Sequence, residues 1–97
     1  MAQYIATVHK DQDSDYGVQF YDFPGCITAG KTIEESQTMA NEALIGHLTL
    51  MIEDGDTIPA PSSLEIVLTD ADHKDATAFL VIEIADKLLK REVELVK

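Results

Sequence analysis

Apolar and polar side chains alternate along the first third of the chain. YIATVHK (Tyr4 to Lys10) is rich in β-branched and aromatic residues and stops at DQDSD, a cluster of turn formers, which predicts a strand and then a loop. In YGVQFYD, Tyr16, Val18 and Phe20 share one face while Gln19 and Tyr21 share the other, the period of two of a half-buried strand. Pro24-Gly25 then reverses the chain, because Pro fixes φ at position i+1 and Gly accepts the positive φ of position i+2 in a type II turn. CITAGK follows as a third strand, so the opening elements form an antiparallel meander.

The period changes after Lys31. Thr32, with Glu35 three residues later, has the spacing of a reciprocal capping box, and a helix of about six turns starts at Ile33. Ile33, Ala40, Leu44, Leu48 and Met51 fall on one stripe, with Glu35, Glu42, Thr49 and Glu53 opposite. Gly55 supplies the left-handed stop. IPAPSS (Ile58 to Ser63) cannot be helical through Pro59 and Pro61 and bridges back across the molecule. SLEIVLTD fits neither period. TAFLVIEI (Thr77 to Ile84) is almost continuously apolar, which predicts a strand that is central or covered on both faces. The tail from Ala85 reads equally as a helix using Leu88, Leu89 and Val93 or as a helical turn followed by a strand, REVELV. The order β, β, β, α, β with a short C-terminal element is that of an α+β domain.

Composition limits what this domain can do. With 97 residues the chain has room for one core. Its 18 acidic and 7 basic side chains give a formal net charge of −11, which repels phosphates and favours a basic partner. A normal apolar content places that charge on the surface of a globular domain. The lone Cys26 has no disulfide partner within the chain, and MAQYIATVHK holds no apolar stretch of signal-peptide length, so the cytosol is the expected compartment. AFLVI, the longest apolar run, is far short of a membrane span.

Three residue groups suggest chemistry. Asp11, Asp13 and Asp15 have the spacing that opens a calcium loop, but the loop's glycine and its twelfth-position glutamate are replaced by Tyr16 and Asp22, leaving a solvated connection. Cys26 with His9, His47 and His73 shows no paired metal-ligand spacing. Cys26 is expected as a small buried residue and His47 as a hydrogen-bonded packing residue beside the helix stripe, with His9 and His73 exposed. The element order is the first half of a ribonuclease H-like arrangement, whose catalysis needs converging carboxylates about 4 Å apart around two metals. The first strand has none, and the helix glutamates face away, leaving Glu83, Asp86 and His47 as the residues of a divalent-metal hydrolase. No metal or cofactor is expected.

Y-x-A-x-V (Tyr4 to Val8), D-x-D-S-D-Y-G-V-x-F (Asp11 to Phe20), D-F-P-G-C-x-T-A-G (Asp22 to Gly30), T-x-E-E-S, N-E-A-L and E-D-G-x-x-I-P-x-P-S-S (Glu53 to Ser63) occur in this order. The series closely resembles the HicB family of antitoxins from Tyr4 to about Ile84. The resemblance implies a partial ribonuclease H-like fold without nuclease function, and a partner, HicA, that is a small basic mRNA-cleaving toxin. It makes Pro24, Gly25, Cys26, Gly30, Gly55, Pro59 and Pro61 structural residues. Members commonly carry a further DNA-binding segment, so DNA is a partner only through a segment absent from this chain.

The expected function is therefore that of an antitoxin whose residues 1–85 mask the active site of a HicA-like ribonuclease. Asp11, Asp13, Asp15, Glu35, Glu42 and Glu53 are the expected contacts, with apolar anchors that the sequence does not identify. Residues 86–97 are expected to serve oligomerisation or to open a missing DNA-binding segment. A two-fold homodimer or higher oligomer using residues beyond Ile84 follows from the need to cover a sheet edge. The rival readings are the metal-dependent nuclease or hydrolase and a non-catalytic oligomeric binding module.

Overall fold

A computed structural model of the chain describes residues 1–89. Four strands, β1 (Ala2–His9), β2 (Tyr16–Phe20), β3 (Ile27–Gly30) and β4 (Ala78–Ile84), form one antiparallel sheet in the order β3-β2-β1-β4. The long helix α1 (Ile33–Glu53) packs on one face of it, and two short helices follow, α2 (Leu64–Leu68) and α3 (Asp86–Leu89). The predicted α+β order holds, and the ambiguous SLEIVLTD contains α2. Of the tail, Asp86–Leu89 is helical; REVELV and Val93 lie outside the described residues.

Tyr4, Ala6 and Val8 of β1, Val18 and Phe20 of β2, and Leu80, Ile82 and Ile84 of β4 meet Ala40, Leu44 and Leu48 of α1 in the core. Leu44 and Leu48 are fully buried, each side chain stabilising the fold by about 1.5–3 kcal/mol relative to exposure. The buried stripe of α1 is Ser36, Ala40, Leu44, Leu48 and Ile52, a strict i, i+4 ladder. It is rotated from the expected one: Ile33 is exposed and Met51 half-buried. At Gly30 an added Cβ would lie 2.6 Å from the Ser36 backbone nitrogen, so the lack of a side chain there lets β3 and the start of α1 approach closely, with Ser36 buried between them.

Both helix ends follow the sequence with one shift. Thr32 Oγ1 accepts from Glu35 N–H at 3.0 Å, while the Glu35 carboxylate reaches past the cap to accept from Lys31 N–H at 2.9 Å. At the other end Gly55, at φ +74°, donates to Ile52 O, and Asp56 donates to Met51 O, the paired bonds of a Schellman motif.

The expectation of a central or doubly covered fourth strand is corrected. Among the described residues β4 pairs on one side only, with β1, and its side chains alternate: Leu80, Ile82 and Ile84 are buried, Val81 and Glu83 exposed. The strand covered on both faces is β1, where Ile5 and Thr7 are as buried as their neighbours. The run AFLVIEI misleads because Phe79 and Val81, on the face away from α1, are apolar without being buried. Among the described residues no helix is long and apolar enough to cross a membrane.

Candidate interaction surface

The β2–β3 hairpin carries the segment DFPGC, and each of its residues has a mechanical task. Phe23 O accepts from Cys26 N–H at 3.0 Å, and Gly25 at φ +89° completes the type II turn. Phe23 points into the core, edge-on to Tyr4 at 4.8 Å and to Phe20 at 6.4 Å. The Asp22 carboxylate accepts from Ser62 N–H at 2.9 Å and from the Ser62 hydroxyl at 2.6 Å, tying the hairpin to the proline bridge. Tyr4 strengthens that tie by donating its hydroxyl to Pro59 O at 2.7 Å. Burial, and secondarily the Asp22 charge, push the Tyr4 phenol above its ordinary pKa, so it stays a donor. Cys26 is buried, as expected, and desolvation raises its thiol to about 11, well away from nucleophilic range.

All six predicted contact carboxylates are exposed, but they do not form one patch. The loop 11–15 is held from within: Lys10 Nζ donates to Asp11 O at 3.0 Å and to Ser14 O at 2.6 Å, and Ser14 Oγ accepts from Asp11 N–H at 2.9 Å. This leaves the Asp11, Asp13 and Asp15 side chains on the outside. Because Tyr16 pairs with Gly30, that loop and the start of α1 lie at the same end of the sheet. Glu35, at this end, has one carboxylate oxygen committed to Lys31 N–H. Glu53 sits 18 residues further along the helix, roughly 27 Å away at 1.5 Å per residue, with Glu42 between.

The histidines depart from expectation. His9 and His73 are half-buried and meet over Thr7, whose Oγ1 lies 2.9 Å from His73 Nδ1 and 3.2 Å from His9 Nε2. Gln19 Nε2 lies 3.2 Å from the same His9 nitrogen, and the Tyr21 ring meets His73 edge-on. The fully buried Thr7 needs these partners, and the segment before β4 folds over the sheet to supply His73. No local signal in the sequence joins residues 66 positions apart. His47 packs beside the apolar stripe as expected, edge-on to Phe23 at 5.8 Å.

Beside the Thr7 cluster runs a cleft of about 510 Å³, lined among others by His9, Tyr21, Pro24, Ile27, Asp72 and His73. Ile27, 69% exposed on β3, lines it and is the most exposed large apolar side chain after Met1 among the described residues. The hydrolase residues do not converge. Glu83, which accepts from Gln3 Nε2, alternates with core residues and so lies on the sheet face opposite α1 and His47, while Asp86 pairs with the Met1 ammonium at 2.9 Å. Among the described residues no three His, Cys, Asp or Glu side chains are grouped to hold a metal ion.

A four-stranded antiparallel sheet, one long helix on one face and a hairpin locked to a proline bridge define an α+β fold of the partial ribonuclease H-like kind. The model of the HicB-like antitoxin of bacterial toxin-antitoxin systems matches residues 4–97, and the chain belongs to that family. It is 31% identical over 99 residues to antitoxin HicB of Escherichia coli K12, covering 94% of this chain and 72% of the relative. An uncharacterised 14.9 kDa protein of Haemophilus phage HP1 is 33% identical over 72 residues, 74% of this chain and 53% of its own length. The chain thus spans about half of the phage relative. The crystal structure of Burkholderia pseudomallei antitoxin HicB superposes with a TM-score of 0.80 at 28% identity, over 91% of this chain and 67% of that one. A chain of the HicA3 and HicB3 toxin-antitoxin complex shares the fold at a TM-score of 0.71 and 24% identity, over 86% of this chain and 98% of its own.

Proposed function

We propose that the chain is a non-enzymatic antitoxin that binds a small, basic, HicA-like mRNA-cleaving toxin and masks its active site. The observation that carries this reading is family membership over residues 4–97 in a domain of net charge −11. A ribonuclease must present positive charge to its substrate, and an acidic protein competes for that surface. The Asp11, Asp13 and Asp15 loop and Glu42 speed the encounter, with Glu35 and Glu53 as outlying contributors. Exposed ion pairs add only about 0–1 kcal/mol each, so Ile27 and the neighbouring cleft supply the affinity. The same reading makes the chain a homodimer in the cytoplasm, with no catalysis of its own.

Co-expression with a small basic HicA-like protein from the same genome tests the reading. The two should co-purify, and replacing Asp11, Asp13 and Asp15 together by Asn should slow association several-fold at low salt while changing dissociation little. Purification of each protein alone from cells making both would refute it.

A further inference from the structure

The geometry points to a specific dimer interface: we propose that two copies join through their β4 edges, around a two-fold axis at Val81, into one continuous eight-stranded sheet. This rests on the homodimer of the preceding section and gives it an interface.

The inference begins with the direction of backbone groups. In an antiparallel strand the N–H and C=O of one residue point to the same side, and the side alternates from residue to residue. Ile5 O accepts from Tyr21 N–H, so the odd-numbered residues of β1 bond β2; Val8 O accepts from Thr77 N–H although Val8 is in register with Ala78, which marks a bulge just before β4 begins. Even-numbered residues of β1 therefore bond β4. Through the register Ala2↔Ile84, Tyr4↔Ile82, Ala6↔Leu80 and Val8↔Ala78, those four β4 residues point inward. Phe79, Val81 and Glu83 point their N–H and C=O groups outward, away from β1, the one strand that β4 pairs with among the described residues.

Such a row is costly to leave open, and proteins guard it with proline, lysine, bulges or brevity. Within Ala78–Ile84 there is no proline or lysine and the register with β1 is regular, the bulge at Thr77 lying before the strand; Glu83 is its one charge. The row is also self-complementary. Val81 is the middle residue of Ala78–Ile84, so a two-fold axis there sets Val81 against its own copy, and Phe79 against Glu83 of the second copy. These three residue pairs each exchange two hydrogen bonds. The two Val81 side chains, each 51% exposed in the single chain, become a cross-strand β-branched pair. The two Glu83 side chains end four residue steps apart, roughly 14 Å at 3.4 Å per residue, which avoids like-charge repulsion.

The test is the mass of the full 97-residue chain in solution, read by sedimentation or light scattering. Val81→Pro removes one outward donor and leaves the bonds to β1 intact, because Val81 N–H faces away from β1. Val81→Lys places a gatekeeper charge at the axis and covers the case in which the proline perturbs folding. Wild type should have twice the 10.7 kDa chain mass. Both variants should be monomeric, or dimerise at least tenfold more weakly, with unchanged far-UV circular dichroism. A wild-type dimer that persists in folded Val81→Pro and Val81→Lys would overturn the β4 interface while sparing the homodimer. A monomeric wild type would overturn both.

Discussion

At the β3 edge of the sheet the chain concentrates several devices on four residues: a type II turn leads in, Gly30 nests under Ser36 of α1 at the end, and Asp22 anchors the preceding turn to Ser62. β4, nearly twice as long, forms the opposite edge with regular pairing and no such guard. One edge is tied to the rest of the chain at both ends, and the other, among the described residues, carries no such tie. The difference separates an edge that fixes the domain's shape from the edge that the proposed dimer uses.

The contrast can be broken at the β3 side, where the largest effect is expected at Gly30. A side chain there collides with the backbone of Ser36, so Gly30→Val should lower stability by about 3 kcal/mol, the upper range of overpacking, read as a fall in the urea midpoint. An unchanged midpoint would mean that α1 and β3 are not in contact. Asp22→Ala comes next. It leaves Ser62 N–H and its hydroxyl without their acceptor at a half-buried site and should cost about 2 kcal/mol. Asp22→Asn, which keeps one acceptor oxygen, should recover part of that loss.

The smallest effect concerns Cys26 and appears only in alkali. Its thiol is raised in the folded state from 9.0 to about 11, so the neutral form is favoured by folding. The stability this group contributes is fully present below about pH 9 and is lost as pH rises through about 11. Wild type should therefore lose stability relative to Cys26→Ala between those values, as measured by urea unfolding at each pH. A constant difference across that range would place Cys26 at the surface.

Legibility in the sequence followed the range of the interaction. The turn at Pro24-Gly25, the cap at Thr32 and the stop at Gly55 are set by neighbours within a few residues, and each stands where residue chemistry put it. The buried stripe of α1 differs from the expected one in including Ser36, which packs against Gly30, a contact no hydrophobic pattern encodes. β4 was misread as central or doubly covered because Phe79 and Val81 are apolar although they lie on the face away from α1, where neither is buried. The Asp22–Ser62 tie and the His9–Thr7–His73 cluster join residues 40 and 66 apart and carry no local signature. Of the candidate site, the acidic residues were legible as exposed side chains, but their separation along α1 was set by the fold, and Ile27 emerged only once its exposure was known.

The central claim, that the chain silences a basic ribonuclease by covering it, is tested most directly by RNA cleavage. Purified chain titrated into its cognate HicA-like toxin should abolish cleavage of a labelled RNA at a fixed stoichiometry, and the tightness of inhibition should weaken as salt screens the opposing charges. Undiminished cleavage in the presence of a large excess of folded chain would contradict the account.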